Sequence, residues 1–241
     1  IGSSFSFSNK SRNNIYNNEF SEFKLKVELA GNLTNLTSNL LNVSKDEFGK
    51  NKVLGLTFSQ FIKTETGYIK HWPIGLNSII AFRSFFGLAI PFGNSNNIPF
   101  SKSFFAGGSN DNRAWEVYRL GPGSSEALSE FNEANMKIAM NIEYRFKILG
   151  RIDGALFTDI GNIWNVFDDT KDSKRKFNSL KDLDEIAIGS GIGLRYNIGY
   201  FILRLDMGLK TYNPVLESNE RWLTDFNLKK AVFNIGLNYP F

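Results

Sequence analysis

The chain has 241 residues, enough for one large domain or two small ones, with 42% hydrophobic residues, a mean hydropathy of −0.23 and a net charge of +4. No run approaches the roughly 20 consecutive apolar residues of a membrane helix, which excludes a helical membrane protein but not a barrel, whose alternating strands cancel in a hydropathy average. The absence of cysteine removes disulfides, thiolate catalysis and zinc–thiolate sites, and the modest, dispersed positive charge leaves no nucleic-acid footprint. Aromatic use is high and proline scarce (23 Phe, 8 Tyr and 4 Trp against 6 Pro), the balance of a strand-rich chain with aromatic belts. Ile1 is not a start methionine and no charged, apolar, small-residue leader precedes it, so a signal peptide is expected to be absent or removed.

Nine segments are expected to be strands: 3–9, 20–31, 52–64, 78–90, 135–147, 151–163, 185–197, 200–210 and 231–241. In 78–90, Ile80, Phe82, Phe86, Leu88 and Ile90 oppose Ala81, Arg83, Gly87 and Ala89. In 135–147, Met136, Ile138, Met140, Ile142, Tyr144 and Phe146 share one face, with Lys137, Asn141, Glu143 and Arg145 on the other. Segment 185–197 sets Ile186, Ile188, Ile192, Leu194 and Tyr196 against Gly189, Gly191, Gly193 and Arg195. Segment 200–210 sets Phe201, Leu203, Leu205, Met207 and Leu209 against Arg204, Asp206 and Lys210. The final strand points Ala231, Phe233, Ile235, Leu237, Tyr239 and Phe241 outward, and Val232, Asn234, Gly236, Asn238 and Pro240 inward. The Asn/Ser-rich stretches 8–18 and 94–97 are expected to be turns or loops.

A soluble sandwich gives the same alternation, with the apolar face in a dry core and the polar face in water. Connection lengths favour the barrel. Short links (10–19, 65–77, 148–150, 198–199) alternate with long ones (32–51, 91–134, 164–184, 211–230). Outer-membrane barrels put short turns on the periplasmic side and long loops outside, so with a periplasmic C-terminus every long link falls extracellularly. Nine is an awkward count, because bacterial single-chain barrels use even numbers and an open edge exposes unsatisfied backbone to lipid. The expectation is therefore a single domain, 1–241, forming the C-terminal portion of a larger antiparallel transmembrane β-barrel.

The long link 91–134 carries Phe104, Phe105, Gly107, Gly108, Arg113, Ala114 and Trp115, then Gly121 and Pro122. This resembles the large sixth extracellular loop of the BamA/TamA superfamily of outer-membrane assembly and translocation barrels: an aromatic pair, a Gly-Gly run, Arg with a small residue and an aromatic, then Gly-Pro. Ala114 stands where Gly is usual. Asn141–Phe146 resembles the family's following strand, and Phe157, Asp159, Gly161 and Trp164 match its Phe-x-Asp-x-Gly-x-x-Trp strand. Asn234, Gly236, Tyr239 and Phe241 are spaced like the C-terminal signal read by the assembly machinery. Leu120–Gly123 and the closing Tyr-Pro-Phe are most similar to the TamA-like lipoprotein relatives, TamL. The resemblance implies the last eight or nine strands of a sixteen-stranded barrel, whose periplasmic POTRA domains and remaining strands lie outside this chain.

An inward-folding loop gives Arg113 a role. Its planar fork suits carboxylates, and inward parity puts Glu143 and Asp159 on neighbouring strands of the same face. With the family pattern, these three are expected to lock the loop into the lumen. No catalytic set or cofactor site is expected. His71, in a short turn beside Trp72 and Pro73, is expected to be a periplasmic interface residue. Gly189-x-Gly-x-Gly193 lies in a strand and is expected to let the strands coil or to make room for the loop rather than to bind phosphate. Asp153 and Asp159, about 20 Å apart along a strand, are too far for paired acid–base work.

The resemblance implies assembly or insertion of outer-membrane proteins through a weak lateral seam, with membrane lipid, client β-barrel proteins and accessory lipoproteins as partners. The alternatives are a two-partner-secretion transporter exporting secreted polypeptides, or a barrel anchoring a fused surface enzyme. About five POTRA modules upstream would favour assembly, two would favour secretion, and a hydrolase would favour the anchor. A passive porin fits poorly, since the loop would plug it. Pro240, which lacks a backbone N–H, and Gly236, expected to be a point where the strand can bend, mark 231–241 as the edge strand.

Overall fold

The computed structural model describes residues 2–12, 19–41, 43–126 and 132–241. Nine long strands form one antiparallel sheet, ordered as in the sequence apart from a small hairpin. They are β1 (Gly2–Lys10), β2 (Phe20–Ala30), β5 (Phe61–Gly75), β6 (Ser78–Pro91), β7 (Met136–Leu149), β8 (Ile152–Trp164), β9 (Ala187–Asn197), β10 (Ile202–Tyr212) and β11 (Val232–Leu237). The hairpin pairs β3 (Lys52–Val53) with β4 (Leu56–Thr57), and a helix α1 (Asn32–Leu40) precedes it.

Burial is reversed relative to a soluble sandwich. The inward face is the polar one: Lys137, Asn141, Glu143, Arg145, Asp159, Arg195, Arg204 and Asp206 are buried. The outward face is apolar and exposed, through residues such as Ile142, Leu156, Ile192, Leu205, Phe233 and Ile235. Charged groups inside and aromatic and aliphatic groups outside are the arrangement of a strand wall solvated by lipid. The sheet also curls. Arg83 of β6 and Arg204 of β10 both hydrogen-bond Asn110, although four strand spacings separate them, roughly 19 Å along a flat sheet.

The third strand departs from expectation. It runs Phe61–Gly75, not 52–64, because Leu54 and Gly55 both take positive φ and turn residues 52–57 into their own hairpin. Its inward face is Lys63, Glu65, Gly67, Ile69 and His71, and charges on the face that a sandwich would make dry hid the alternation. His71 is therefore not in a turn: it is buried mid-strand, its ring 4.3 Å from that of Phe20. The link after β5 shrinks to 76–77, which sharpens the sorting of the connections. β1, β5, β7 and β9 end at the rim where β2, β6, β8 and β10 begin, with 76–77, 150–151 and 198–201 as short links there, and β2, β6, β8 and β10 end at the other rim, where the long connections start. Of the Asn/Ser-rich stretch 8–18, residues 8–10 belong to β1, and 13–18 lie outside the described residues, as do 127–131 of the long loop.

The last strand is shorter than expected. Asn238 adopts φ +61, and its side-chain oxygen accepts from the backbone N–H of Ile202 while its own N–H bonds the Ile202 carbonyl. This turn stops β11 at Leu237. Tyr239 and Phe241, expected outward, instead lie on the inward side with their rings 4.0 and 5.5 Å from the Arg145 guanidinium. Pro240, lacking an N–H, cannot extend the ladder.

Candidate functional site: the inward loop and its ionic lock

The β6–β7 loop doubles back against the inner wall as two bridged segments. Phe104 and Ala134 exchange backbone hydrogen bonds of 2.7 and 2.9 Å, Ala106 bridges Leu120, and Gly108 N–H donates to the Trp115 carbonyl at 2.8 Å. Gly107, at φ +93, donates to Asp111 Oδ2, and a Cβ there would sit 2.1 Å from the Glu116 carbonyl oxygen. Only glycine fits that conformation without strain.

The loop's apolar anchors fill the upper lumen. Phe104, Ala106, Ala114, Trp115, Leu120 and Ala134 pack with Ala89, Ile163 and Ala187 of the wall. Phe104 meets Phe85 edge-on at 6.0 Å and occupies the space that Gly87 leaves open. Phe105 is partly exposed and packs on Tyr118, with its carbonyl accepting from Lys137. Gly121 and the buried Pro122 lie against β8, where Asn162 donates to the Gly123 carbonyl and Gly123 N–H donates to Ile163.

At the loop tip Arg113 is fully buried. Its Nε and Nη2 hold the two oxygens of Asp159 at 2.8 and 2.9 Å, a bidentate fork, and its backbone N–H adds a third bond to Oδ2 at 3.0 Å. Nη1 donates to Glu143, and the guanidinium lies 3.5 Å from the Phe157 ring centroid. Charge-assisted bidentate bonds in a site shielded from water are the strong kind. Asn141 completes the site by bonding both Asp159 and the Asp111 carbonyl.

Sequence reasoning brought together Arg113, Glu143 and Asp159 but missed the wider network. Arg145 and Arg195 each bond Glu143, and Arg195 also bonds Asp206 at 2.6 Å. Arg204 Nε lies 3.2 Å from Asp206, and its Nη2 holds Asn110. Four arginines thus share three carboxylates. The available signal was strand register: Arg204 pairs Arg195 on one side and Gly236 on the other, while Asp206 sits between Gly193 and Asn234.

Glycines on the wall make room for this cluster. A Cβ on Gly208 would come 2.4 Å from the Arg113 carbonyl oxygen, and one on Gly189 would come 2.5 Å from the Ala114 methyl. The methyl that replaces the usual glycine at 114 therefore fits because residue 189 has no side chain. Gly236 is not a bend: the Arg204 guanidinium lies across it, 2.4 Å from where a Cβ would be. Asn234 donates to the Arg113 carbonyl at 3.0 Å. Two residues of the last strand thus touch the lock, while Tyr239 and Phe241 stack on Arg145.

Among the described residues no cluster could hold a metal ion. No curated protein matches the sequence. Among solved structures the chain is similar to BamA from Haemophilus ducreyi lacking POTRA domains 1–3, with a TM-score of 0.53 and 12% identity over 98% of this chain and 53% of that one. The chain thus spans about half the length of that structure, and the likeness is one of fold. The model of the Omp85 superfamily domain matches residues 2–237. With its antiparallel wall, inward loop and lipid-facing exterior, the chain belongs to the Omp85 superfamily of outer-membrane barrels, which assemble or transport proteins without enzymatic chemistry.

Proposed function

We propose that this chain forms the seam-bearing half of a barrel that assembles or inserts proteins in the bacterial outer membrane. The observation that carries the reading is the coupling of the loop tip to the last strand, through Asn234 to the Arg113 carbonyl and Arg204 across Gly236. β11 pairs β10 only through Val232–Leu237. A strand this short makes few ladder hydrogen bonds to a closing strand, so an incoming client strand can compete for it by β-augmentation. The lock holds that edge in register from inside, so templating a client strand requires no covalent step.

In this reading the rim with short links and residues 238–241 is periplasmic, and the loops of the other rim are extracellular. POTRA domains, the remaining strands, client β-barrel proteins and accessory lipoproteins are the partners. Leu120–Gly123 and the closing Tyr-Pro-Phe favour the TamL-like branch. The test is a cysteine pair locking β11 to the strand that closes the barrel in the intact protein. Client insertion should be abolished, and restored by reduction. Full activity of the locked barrel would rule out lateral opening at this edge.

A further inference from the structure

Helix α1 is amphipathic in the reverse sense. At 100° per residue, Asn32, Asn35 and Ser38 lie on one side and Leu33, Leu36 and Leu40 on the other. The polar side faces the protein: Asn32 accepts from the Gln60 amide at 2.7 Å, Asn35 accepts from Asn51 at 3.2 Å, and Ser38 is buried. The leucine side faces away, with Leu33, Leu36 and Leu40 exposed to 55%, 58% and 74%. Thr37, on the same side, turns its hydroxyl back to the carbonyls of Leu33 and Thr34, which leaves its methyl outward.

Strand parity places the helix on the outside of the barrel wall and not over its mouth. The Phe92 N–H donates to the Gln60 carbonyl, so this pair continues the β5–β6 ladder one step beyond Phe61 and Pro91. Lys63 and Ala89 face the lumen, where Lys63 lies over Phe104 and Ala89 packs on the loop. Alternation then turns Phe61 inward and Gln60 outward, to the side of Ile62 and Ile90. α1 docks its asparagines on that outward Gln60. It also follows directly from β2, whose outward residues Leu25, Val27 and Leu29 belong to the lipid-facing wall. The close approach rests on Gly31, at φ +81, where a Cβ would lie 2.4 Å from the Ser59 carbonyl oxygen.

We propose that α1 is an interfacial helix whose leucine face rests in the lipid leaflet at the long-loop rim. The occupant is the acyl region of the bilayer, because the helix follows directly from β2 and its leucine face lies on the same outward side as Leu25, Val27 and Leu29. Nine residues with no basic side chain would bind a membrane weakly alone, and covalent continuity with β2 supplies the attachment. The inference depends on the membrane-barrel fold and not on assembly activity, so either can fail separately.

Because the sequence has no cysteine, a single introduced one reports its own position. Leu36→Cys and Leu40→Cys, each labelled with an environment-sensitive dye in the intact protein in liposomes, should give blue-shifted emission quenched by brominated acyl chains. Glu217→Cys, exposed on another loop of the same rim, should give solvent-like emission quenched by iodide. Solvent-like emission at both leucine positions would overturn the proposal. So would blue-shifted emission that resists brominated lipid and self-quenches as protein density rises, since a second copy would then cover the face. Circular dichroism of each labelled variant verifies that the sheet has formed.

Discussion

The two sides of the sheet handle buried charge differently. Along β7–β10 the lumenal wall is glycine-rich, the loop seats directly on it, and Arg113, Glu143, Asp159, Arg195 and Asp206 are dry. Along β1, β2 and β5 the wall is a ladder of Lys and Glu: Lys24–Glu22 at 3.0 Å, Lys63–Glu65 at 3.0 Å and Lys26–Glu65 at 4.0 Å, with Lys24 and Lys26 about half exposed. The charges are of the same kind, yet the first set fixes one loop conformation and the second leaves a wetted wall. Desolvation makes the difference: a dry pair is costly to break because its surviving partner stays buried, whereas an exposed pair exchanges for water.

The largest effect should come from breaking the dry set. Arg113→Ala strands Asp159 and Glu143 and should cost about 3–5 kcal/mol, with the loop between Gly107 and Gly121 becoming protease-sensitive while the wall persists. Arg113→Lys should recover little, because an ammonium cannot span both Asp159 oxygens. A loop that stays protected in Arg113→Ala would mean that the apolar anchors, not the ion pairs, hold it.

A matched glycine pair sharpens the contrast. Gly208→Ala drives a methyl into the Arg113 backbone, which cannot yield as a flexible side chain would, and should cost about 1–3 kcal/mol by denaturant titration. Gly67→Ala, on the open wall, meets nothing closer than the Ser84 carbonyl oxygen at 3.9 Å, and should be neutral or slightly stabilising. Equal costs at the two sites would show that the loop is not seated on β10.

On the ladder, Lys26→Ala or Glu65→Gln should change stability by no more than about 1 kcal/mol. The effect should shrink as salt is raised. The same salt should leave the Arg113 cluster unaffected, because screening acts on charges that ions can reach.

The smallest effect is expected in the loop between β10 and β11. Burial pushes the Asp225 carboxyl up, but bonds from Lys230 and Asn213 outweigh it and hold it below its ordinary value of 3.8. A depressed carboxylate contributes stability above its unfolded pKa and loses it as pH falls through the folded one. Hydrogen-exchange protection in residues 213–230, the rate relative to the intrinsic amide rate at each pH, should therefore hold from neutral pH down to about 4 and fall below 3.8, while Asp225→Asn removes that loss of protection.

Much of this was legible before the structure. Period-two alternation located eight of the nine wall strands to within a few residues, since a wall between lipid and lumen must alternate. The one misplaced strand, β5, has charges inward and threonines outward, so its two faces differ little in polarity. Helix α1 escaped because asparagine and threonine are poor helix formers and its leucines face away from the protein. The lock was visible in part: parity aligned Glu143 with Asp159, and the family pattern supplied Arg113. Arg195, Arg204 and Asp206 showed the same parity, but the partners of each depended on strand register and on how far the sheet curls.

By itself, then, the sequence determined which side chains face inward along eight of the nine strands, because side-chain direction along a strand is a local property of the backbone. It also determined where the long loops fall, because connection length follows from strand spacing. The tertiary structure alone decided that the last strand stops at Leu237 and turns Tyr239 and Phe241 onto Arg145, and that Gly236 and Asn234 attach it to the loop tip. Those contacts join residues up to 121 positions apart in the chain. Only the curvature of the sheet brings them within bonding distance, and no local pattern encodes it.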